Sequence, residues 1–273
     1  MPELPLLRDT SSFTLVAEVN PPELPEWTHS ALEGCWERVL ITDNPFGTIR
    51  VSPYAYAARI THDAPSVSPT VVVSTRDRNI RAIESEVRGA IGNGVRSFLV
   101  VVGDTVPEVD HLANHHEIVE HLTELRSETG LDFEVGMPTR MRRWQFRQRI
   151  DRGADFFVIG PFIDPTTVEE NIAKLDIREG DPPVFAMVIP PVSLAWVQRA
   201  EGFGGVPVSD AMRQALVSRP GRDWAWEQTG LLSEKLEAHG CSGAIVTGMR
   251  FDTVVGEAAE WCRSWLRRGN RVR

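Results

Sequence analysis

Two carboxylates in this chain stand where chemistry could use them. Glu18 interrupts the apolar run Leu15-Val16-Ala17-Glu18-Val19. An acid in a buried strand loses hydration, which favours its neutral form and suits it to donate a proton near neutrality. A structural carboxylate paired with a cation such as Arg50 or Arg76 would sit in the same pattern. Asp104 follows the apolar run Phe98–Val102 and Gly103. At a strand end it can accept hydrogen bonds from an amide-like or guanidine-like heterocycle. Gly-Asp is also turn chemistry, so a capping role stays open.

The other charged clusters are less specific. In Thr75-Arg76-Asp77-Arg78-Asn79, Asp77 or Asn79 fits as the cap of a helix starting near Ile80. Arg140, Arg142, Arg143, Arg147, Arg149 and Arg152 form a basic segment. One or two of them would suit a ligand bearing phosphates or carboxylates, the rest a solvated helix face. His111, His115, His116 and His121 invite a metal reading. The five-residue step from His116 to His121 turns the second imidazole ~140° away, so a surface helix is expected and no metal site. There is no G-x-S-x-G, and Gly202-Phe203-Gly204-Gly205 is not a dinucleotide fingerprint. The tryptophans read as packing, with Trp196 a candidate pocket wall.

Eight short β-branched runs must position these groups: Phe13–Val19, Arg38–Thr42, Thr70–Ser74, Ser97–Val102, Asp132–Gly136, Asp155–Ile159, Val184–Val188 and Ser242–Val246. Such runs suit strands buried on both faces. Stretches with helical spacing, such as Ile80–Ile91 and Glu117–Leu125, lie between them, and two helices are expected between Ser209 and His239. Gly92-Asn93-Gly94, Thr129-Gly130, Arg152-Gly153 and His239-Gly240 punctuate the helix ends. Alternation of this kind gives right-handed crossovers and a parallel sheet. Eight units over this length predict an α/β fold, a (β/α)8 TIM barrel forming one domain over residues 1–273, in preference to an open sheet. Barrel chemistry gathers at the carboxyl ends of strands. There the sequence places Glu18, Thr42-Asp43, Ser74 to Asp77, Gly103-Asp104, Gly136-Met137, Gly160, Pro190 and Thr247.

Composition narrows the class. The 273 residues carry 38 acids against 29 Lys and Arg, a net charge of −9, which disfavours the broad basic footprint of a nucleic-acid binder. Cys35, Cys241 and Cys262 form neither a disulfide framework nor a zinc pattern. No apolar run approaches the ~20 residues of a membrane span. A soluble cytoplasmic protein is expected, and a homo-oligomer is compatible with it.

At these positions the chain resembles the methylenetetrahydrofolate reductases. Glu18-Val19-Asn20-Pro21-Pro22 is similar to the family's first-strand motif. Thr42-Asp43-Asn44-Pro45 and Arg50-Val51-Ser52-Pro53 resemble the second-strand segment of relatives fused to homocysteine methyltransferases. Ser74 to Asn79 and Val102-Gly103-Asp104 resemble the third and fourth strand ends. Gly153-Ala154-Asp155, Pro161-Phe162-Ile163-Asp164 and Ile189-Pro190-Pro191-Val192-Ser193 follow in family order. The resemblance implies a (β/α)8 barrel binding FAD and reducing 5,10-methylenetetrahydrofolate with NADH or NADPH. It implies Glu18 as general acid toward N10 and Asp104 as the pterin-binding, charge-tuning residue. Thr42, Ser74, Asp104, Met137 and Arg149 fall at cofactor-contacting positions, Arg149 where the family has a Lys on the flavin diphosphate. Gly160 falls where the family has a substrate-binding Gln.

Departures accompany these matches. The family's flavin-contacting His is Val72, its Tyr is Met137, and an Arg before Gly-Asp is Val102. Either FAD is held differently, or hydride passes directly from nicotinamide to folate. A barrel acting on another pterin or one-carbon donor, and a non-catalytic folate-binding subunit, are the alternatives.

Overall fold

The computed structural model describes residues 6–24, 29–76, 78–104, 113–202, 208–218 and 221–269. Eight strands are present: β1 (Thr14–Val19), β2 (Arg38–Ile41), β3 (Ser68–Ser74), β4 (Ser97–Val101), β5 (Glu134–Pro138), β6 (Phe156–Phe162), β7 (Val184–Val188) and β8 (Gly243–Val246). Each pairs in parallel with the next, and β8 pairs with β1, so the sheet closes. The outer ring is α1 (Pro53–Asp63), α2 (Ile80–Gly92), α3 (His115–Thr129), α4 (Arg143–Ile150), α5 (Val168–Ala173), α6 (Leu194–Glu201), α7 (Asp210–Ser218) and α8 (Arg222–Ala238). A last helical stretch runs through α9 (Phe251–Thr253), a π-helical turn and α10 (Ala259–Gly269). The expected (β/α)8 barrel is therefore the fold.

Strand alternation builds two apolar layers. Val16, Leu40, Val72, Leu99, Phe156, Val158, Phe185 and Ile245 fill the barrel. Their neighbours Ala17, Val39, Val71, Phe98, Val135, Phe157, Ala186 and Ala244 pack outward against the helices. With both faces buried, the strands read as unbroken apolar runs. Inside, glycine makes room for rings. A side chain at Gly136 would collide with the Phe156 ring, and a Cβ at Gly243 would lie 2.6 Å from Phe185. Phe156 and Phe185 meet edge to face at 6.1 Å.

Three strands differ from expectation by two residues or more at an end, and β3 starts at Ser68 rather than Thr70. β5 starts at Glu134 and runs on to Pro138. β6 runs on to Phe162 because its pairing with β7 shifts register between Ile159 and Phe162, where Gly160 takes φ +104.

The amino-terminal end of the barrel is closed. Leu7–Asp9 forms a short 3-10 helix whose Leu7 joins the interior cluster. Fully buried Glu134 accepts the backbone N–H groups of Leu7 and Arg8, both at 2.9 Å. Burial raises the Glu134 pKa, opposed by its hydrogen bond with Ser97 and by those two N–H groups. The opposite end, at the strand carboxyl termini, carries the cavity around Glu18 and Asp104.

Candidate active site at the carboxyl ends of the strands

A cavity of about 660 Å³ occupies that open end. Its floor is apolar, made by Leu40, Val72, Leu99, Val101, Val158 and Met187. Glu18, Thr42, Asp43, Asp104, Trp196, Thr247 and Arg250 stand around it.

Glu18 is placed by register. Ala17 of β1 lies level with Val246 of β8, so the next residue meets Thr247 and Gly248 just beyond β8. The Gly248 N–H points at Glu18 Oε1 from 3.4 Å, and the Thr247 hydroxyl donates to the same carboxylate. Glu18 is half-buried and lines the cavity. Burial raises its pKa above the ordinary carboxylate value, opposed by the Thr247 and Gly248 bonds and aided by the Asp104 charge. Among the described residues it forms no ion pair. Arg50 instead donates to the Pro21 carbonyl and lies 3.8 Å from Glu23.

Gly248 itself is a forced choice. Its φ is +76, and a Cβ there would sit 2.6 Å from Cζ2 of Trp196. The indole therefore packs directly on the backbone that addresses Glu18. Trp196 is held in turn at the start of α6, where Ser193 Oγ accepts its backbone N–H at 3.2 Å.

Asp104 is exposed, and its Oδ2 accepts the backbone N–H of Phe46 at 2.6 Å across the mouth. The β2–α1 loop it holds is unusual, because Asn44 (φ 46) and Phe46 (φ 57) both lie in the left-handed region. Asn44 Oδ1 steadies the other side by accepting the Arg50 N–H at 2.8 Å. Asp43, whose side chain is fully buried, takes a hydrogen bond from Arg78 and another from the Ser74 N–H at 3.2 Å. Arg78 also reaches Glu86 at 3.2 Å and lies over the Tyr54 ring. This network ties the β2 and β3 ends together.

The remaining site candidates fall into different surroundings. Thr42 donates its hydroxyl to Asn20 Oδ1 at 2.7 Å at the cavity wall. Ser74 is buried, and its hydroxyl accepts the Arg76 N–H at 3.3 Å. Met137 packs in the outer layer against the helices, because its neighbours Gly136 and Pro138 take the inward positions of β5. Its side chain is thus not on the cavity. Gly160 can offer only backbone, since a Cβ there would meet the Met187 carbonyl at 3.0 Å. Arg149 is 7% exposed and donates to the carbonyl of Pro138, which lines the cavity. Burial, with help from Arg140, lowers its pKa to about 10.

Half of the basic segment is paired with acids: Arg143 with Asp176, Arg147 with Asp181, and Arg152 with Glu120. Asn79 caps α2 by accepting the Ala82 N–H at 3.0 Å, whereas Asp77 and His111 lie outside the described residues. His121 bonds Glu84 on α2 at 2.8 Å. Among the described residues no three His, Cys, Asp or Glu side chains converge as a metal site would require. No described helix is long and apolar enough to cross a membrane. The Thr247–Gly248 cradle of Glu18, the Phe46 partner of Asp104 and the Asp43–Arg78 pair were not foreseen. A glycine directly after a strand end, as in Thr247-Gly248, was the available signal for the first.

The family model for methylenetetrahydrofolate reductase matches residues 33–259. The chain belongs to this family. Membership of the methylenetetrahydrofolate reductases makes it a folate-related reductase, in a family generally dependent on flavin and nicotinamide. No curated protein sequence matches the chain. Among solved structures, EDTA monooxygenase (EmoA) from Chelativorans sp. BNC1 is similar at 12% identity and TM-score 0.60, covering 94% of each chain. Oxaloacetate acetylhydrolase is similar at 12% identity and TM-score 0.55, over 94% of this chain and 81% of that one. A 2,3-dimethylmalate lyase is similar at 15% identity and TM-score 0.54, over 97% and 82%. At such identities these likenesses speak to the barrel alone.

Proposed function

We propose that this chain reduces 5,10-methylenetetrahydrofolate to 5-methyltetrahydrofolate with NADH or NADPH, using Glu18 as the proton donor. The observation that carries the reading is Glu18 itself, a carboxyl with a raised pKa at the edge of an apolar cavity. The pterin's guanidine-like edge donates hydrogen bonds to Asp104. Neutral Glu18 then gives its proton to N10 as the bond from the bridging carbon to N10 breaks. The electron pair stays on N10, and the resulting N5 iminium accepts hydride. Glu18 is left as a carboxylate, which the Gly248 N–H and the Thr247 hydroxyl are placed to receive. The apolar floor keeps water from the iminium.

A bound flavin would supply a relay for the hydride. Arg149, buried beside the cavity wall, suits the diphosphate of a dinucleotide. The flavin ring fares less well. Val72 on the floor is apolar, Met137 is turned outward, and Gly160 has no side chain to offer. Direct transfer from the nicotinamide is therefore the favoured route. The absorbance spectrum of the purified protein tests it: a colourless, active enzyme is expected, and a stoichiometric flavin band would overturn direct transfer.

Activity is tested by following NAD(P)H oxidation dependent on methylenetetrahydrofolate. Glu18→Gln should abolish it with the fold intact by circular dichroism, and wild-type turnover in that variant would refute the proton-donor role. A second reading, reduction of a different pterin, is favoured by the bare backbone at Gly160, where no side chain selects the heterocycle. Equal rates with a methylenated non-folate pterin would support it.

A further inference from the structure

Glu18 stands on β1 and Asp104 follows β4, and the closed order of the barrel sets β2 and β3 between them. A planar ligand that reaches from one carboxyl to the other therefore crosses in front of the β2–α1 loop. Pro45 and Phe46 of that loop line the cavity together with both acids. The loop is pinned at several points. The Phe46 N–H donates to Asp104, the Arg50 N–H to Asn44 Oδ1, and the Val51 N–H to the Pro22 carbonyl at 2.9 Å. Within the loop, the Gly47 N–H bonds the Asn44 carbonyl at 3.1 Å and the Thr48 N–H bonds the Pro45 carbonyl at 3.2 Å.

Phe46 is poorly suited to the turn it makes. Its φ of +57 lies in the left-handed region, where a bulky side chain is a steric outlier and glycine, as at Gly47 (φ +72), is at ease. Its side chain is 69% exposed, so burial in the fold offsets little of that strain. Backbone strain persists only where its surroundings over-determine it, and it clusters at ligand clamps. The result here is placement. A phenyl ring stands at the mouth of the cavity, beside the carboxylate whose Oδ2 the same residue's N–H holds at 2.6 Å.

We propose that Phe46 is a positioning and specificity-determining residue, whose ring stacks on the flat pyrimidine half of the pterin while its N–H keeps the Asp104 carboxylate turned toward the donor edge of that heterocycle. The identity of the heterocycle rests on the reductase reading above. Asp104 can serve both partners, because a carboxylate offers about four lone-pair sites and the Phe46 N–H uses one. The carboxylate thus selects the edge of the ligand, and the phenyl ring selects its flatness.

Replacing the Phe46 side chain leaves the backbone N–H in place, so substitutions separate the ring from the bond to Asp104. Stacking of an aromatic side chain on a nucleobase is worth roughly 5- to 150-fold in affinity. Calorimetric binding of 5-methyltetrahydrofolate and methylenetetrahydrofolate-dependent NADH oxidation are measured on the wild type, Phe46→Ala, Phe46→Leu, Phe46→Tyr and Ile49→Ala. Phe46→Ala should weaken binding and raise KM by about fivefold or more. Its kcat should change little, because the same contact is made before and during hydride transfer. Phe46→Tyr, which keeps the aromatic face, should match the wild type, whereas the apolar but faceless Phe46→Leu should resemble Phe46→Ala. Ile49→Ala, on the same loop but off the cavity lining, should change neither quantity. Wild-type affinity in Phe46→Ala or Phe46→Leu, a loss in Phe46→Tyr or Ile49→Ala equal to that in Phe46→Ala, or a fall in kcat at unchanged KM overturns the proposal. Folate turnover that is indifferent to Phe46 leaves the reductase reading standing and removes this one. Folate binding that depends on the ring, without turnover, does the reverse, and a wild type that neither binds nor reduces the folate removes both.

Discussion

Replacing Gly248 by alanine strikes the one backbone segment that addresses Glu18, and its cost can be worked from two observations. The residue sits at φ +76, where a Cβ costs about 1–2 kcal/mol. The same Cβ would lie 2.6 Å from Cζ2 of Trp196, against about 3.4 Å or more for an ordinary contact, so the indole or the loop must move. Overpacking of that kind costs about 1–3 kcal/mol. Together the variant should lose roughly 2–5 kcal/mol, a melting temperature lower by roughly 4–20 °C for a chain of this size. Urea unfolding of the wild type, Gly248→Ala, Trp196→Ala and the double variant separates the terms. Removing the indole relieves the collision but not the backbone strain, so the double variant should recover about 1–3 kcal/mol relative to additivity. Folate-dependent turnover should fall in Gly248→Ala beyond what lost stability explains, because the displaced N–H no longer points at Glu18. Strict additivity in the cycle would show that Trp196 does not enforce glycine at this position, and the account of the cradle would fall with it.

Glu18→Gln should be more stable than wild type at pH 8 but not at pH 4. The folded-state pKa of Glu18 is raised, so the folded protein binds more protons through that window and its stability falls as pH rises across it; unfolding midpoints at the two values check this. Thr247→Val removes a hydrogen bond that favours the carboxylate, so the alkaline limb of the kcat/KM profile should move to higher pH, and an unmoved limb would deny Thr247 that role. Asp104→Ala takes the acceptor from the Phe46 N–H as well as from the pterin, so KM for the folate should rise and limited proteolysis should cut the β2–α1 loop faster. Gly136→Ala, which drives a methyl into the Phe156 ring, should cost about 1–3 kcal/mol in urea unfolding while leaving Glu18 untouched.

The barrel was legible because strands buried on both faces leave continuous Val, Ile and Phe runs, and all eight appear in the structure near their expected places. Two of the displaced ends trace to backbone features that composition does not carry: the extension of β5 to Pro138 and the left-handed Gly160 within β6. Glu18 was legible as a desolvated acid because a charge in an apolar strand is conspicuous. Its cradle was not, since Thr247 and Gly248 lie more than two hundred residues away and meet it only through the closure of β8 on β1. Asp104 could be placed at a strand end, yet its bond to Phe46 depends on a strained loop that no residue pattern announces. Met137 was read as facing a cofactor. Counting alternation from Glu134 onward puts its side chain on the other face, and a start placed two residues earlier had hidden nothing but the strand's far end.

The rings that fill the barrel against Gly136 and Gly243 have a consequence for how this protein can change over generations. Each interior void is closed by a phenyl group borrowed from the adjoining strand, so neither partner is free to vary alone. Enlarging a glycine produces a collision, and shrinking a phenylalanine opens a hole, each harmful before the compensating change arrives. At Gly136 the change is reachable only by a double step, and at Gly243 the Thr14 carbonyl, which an added Cβ would strike, bars it even then. Drift toward new substrates is thereby channelled upward, into the loops around the mouth, where single replacements are survivable.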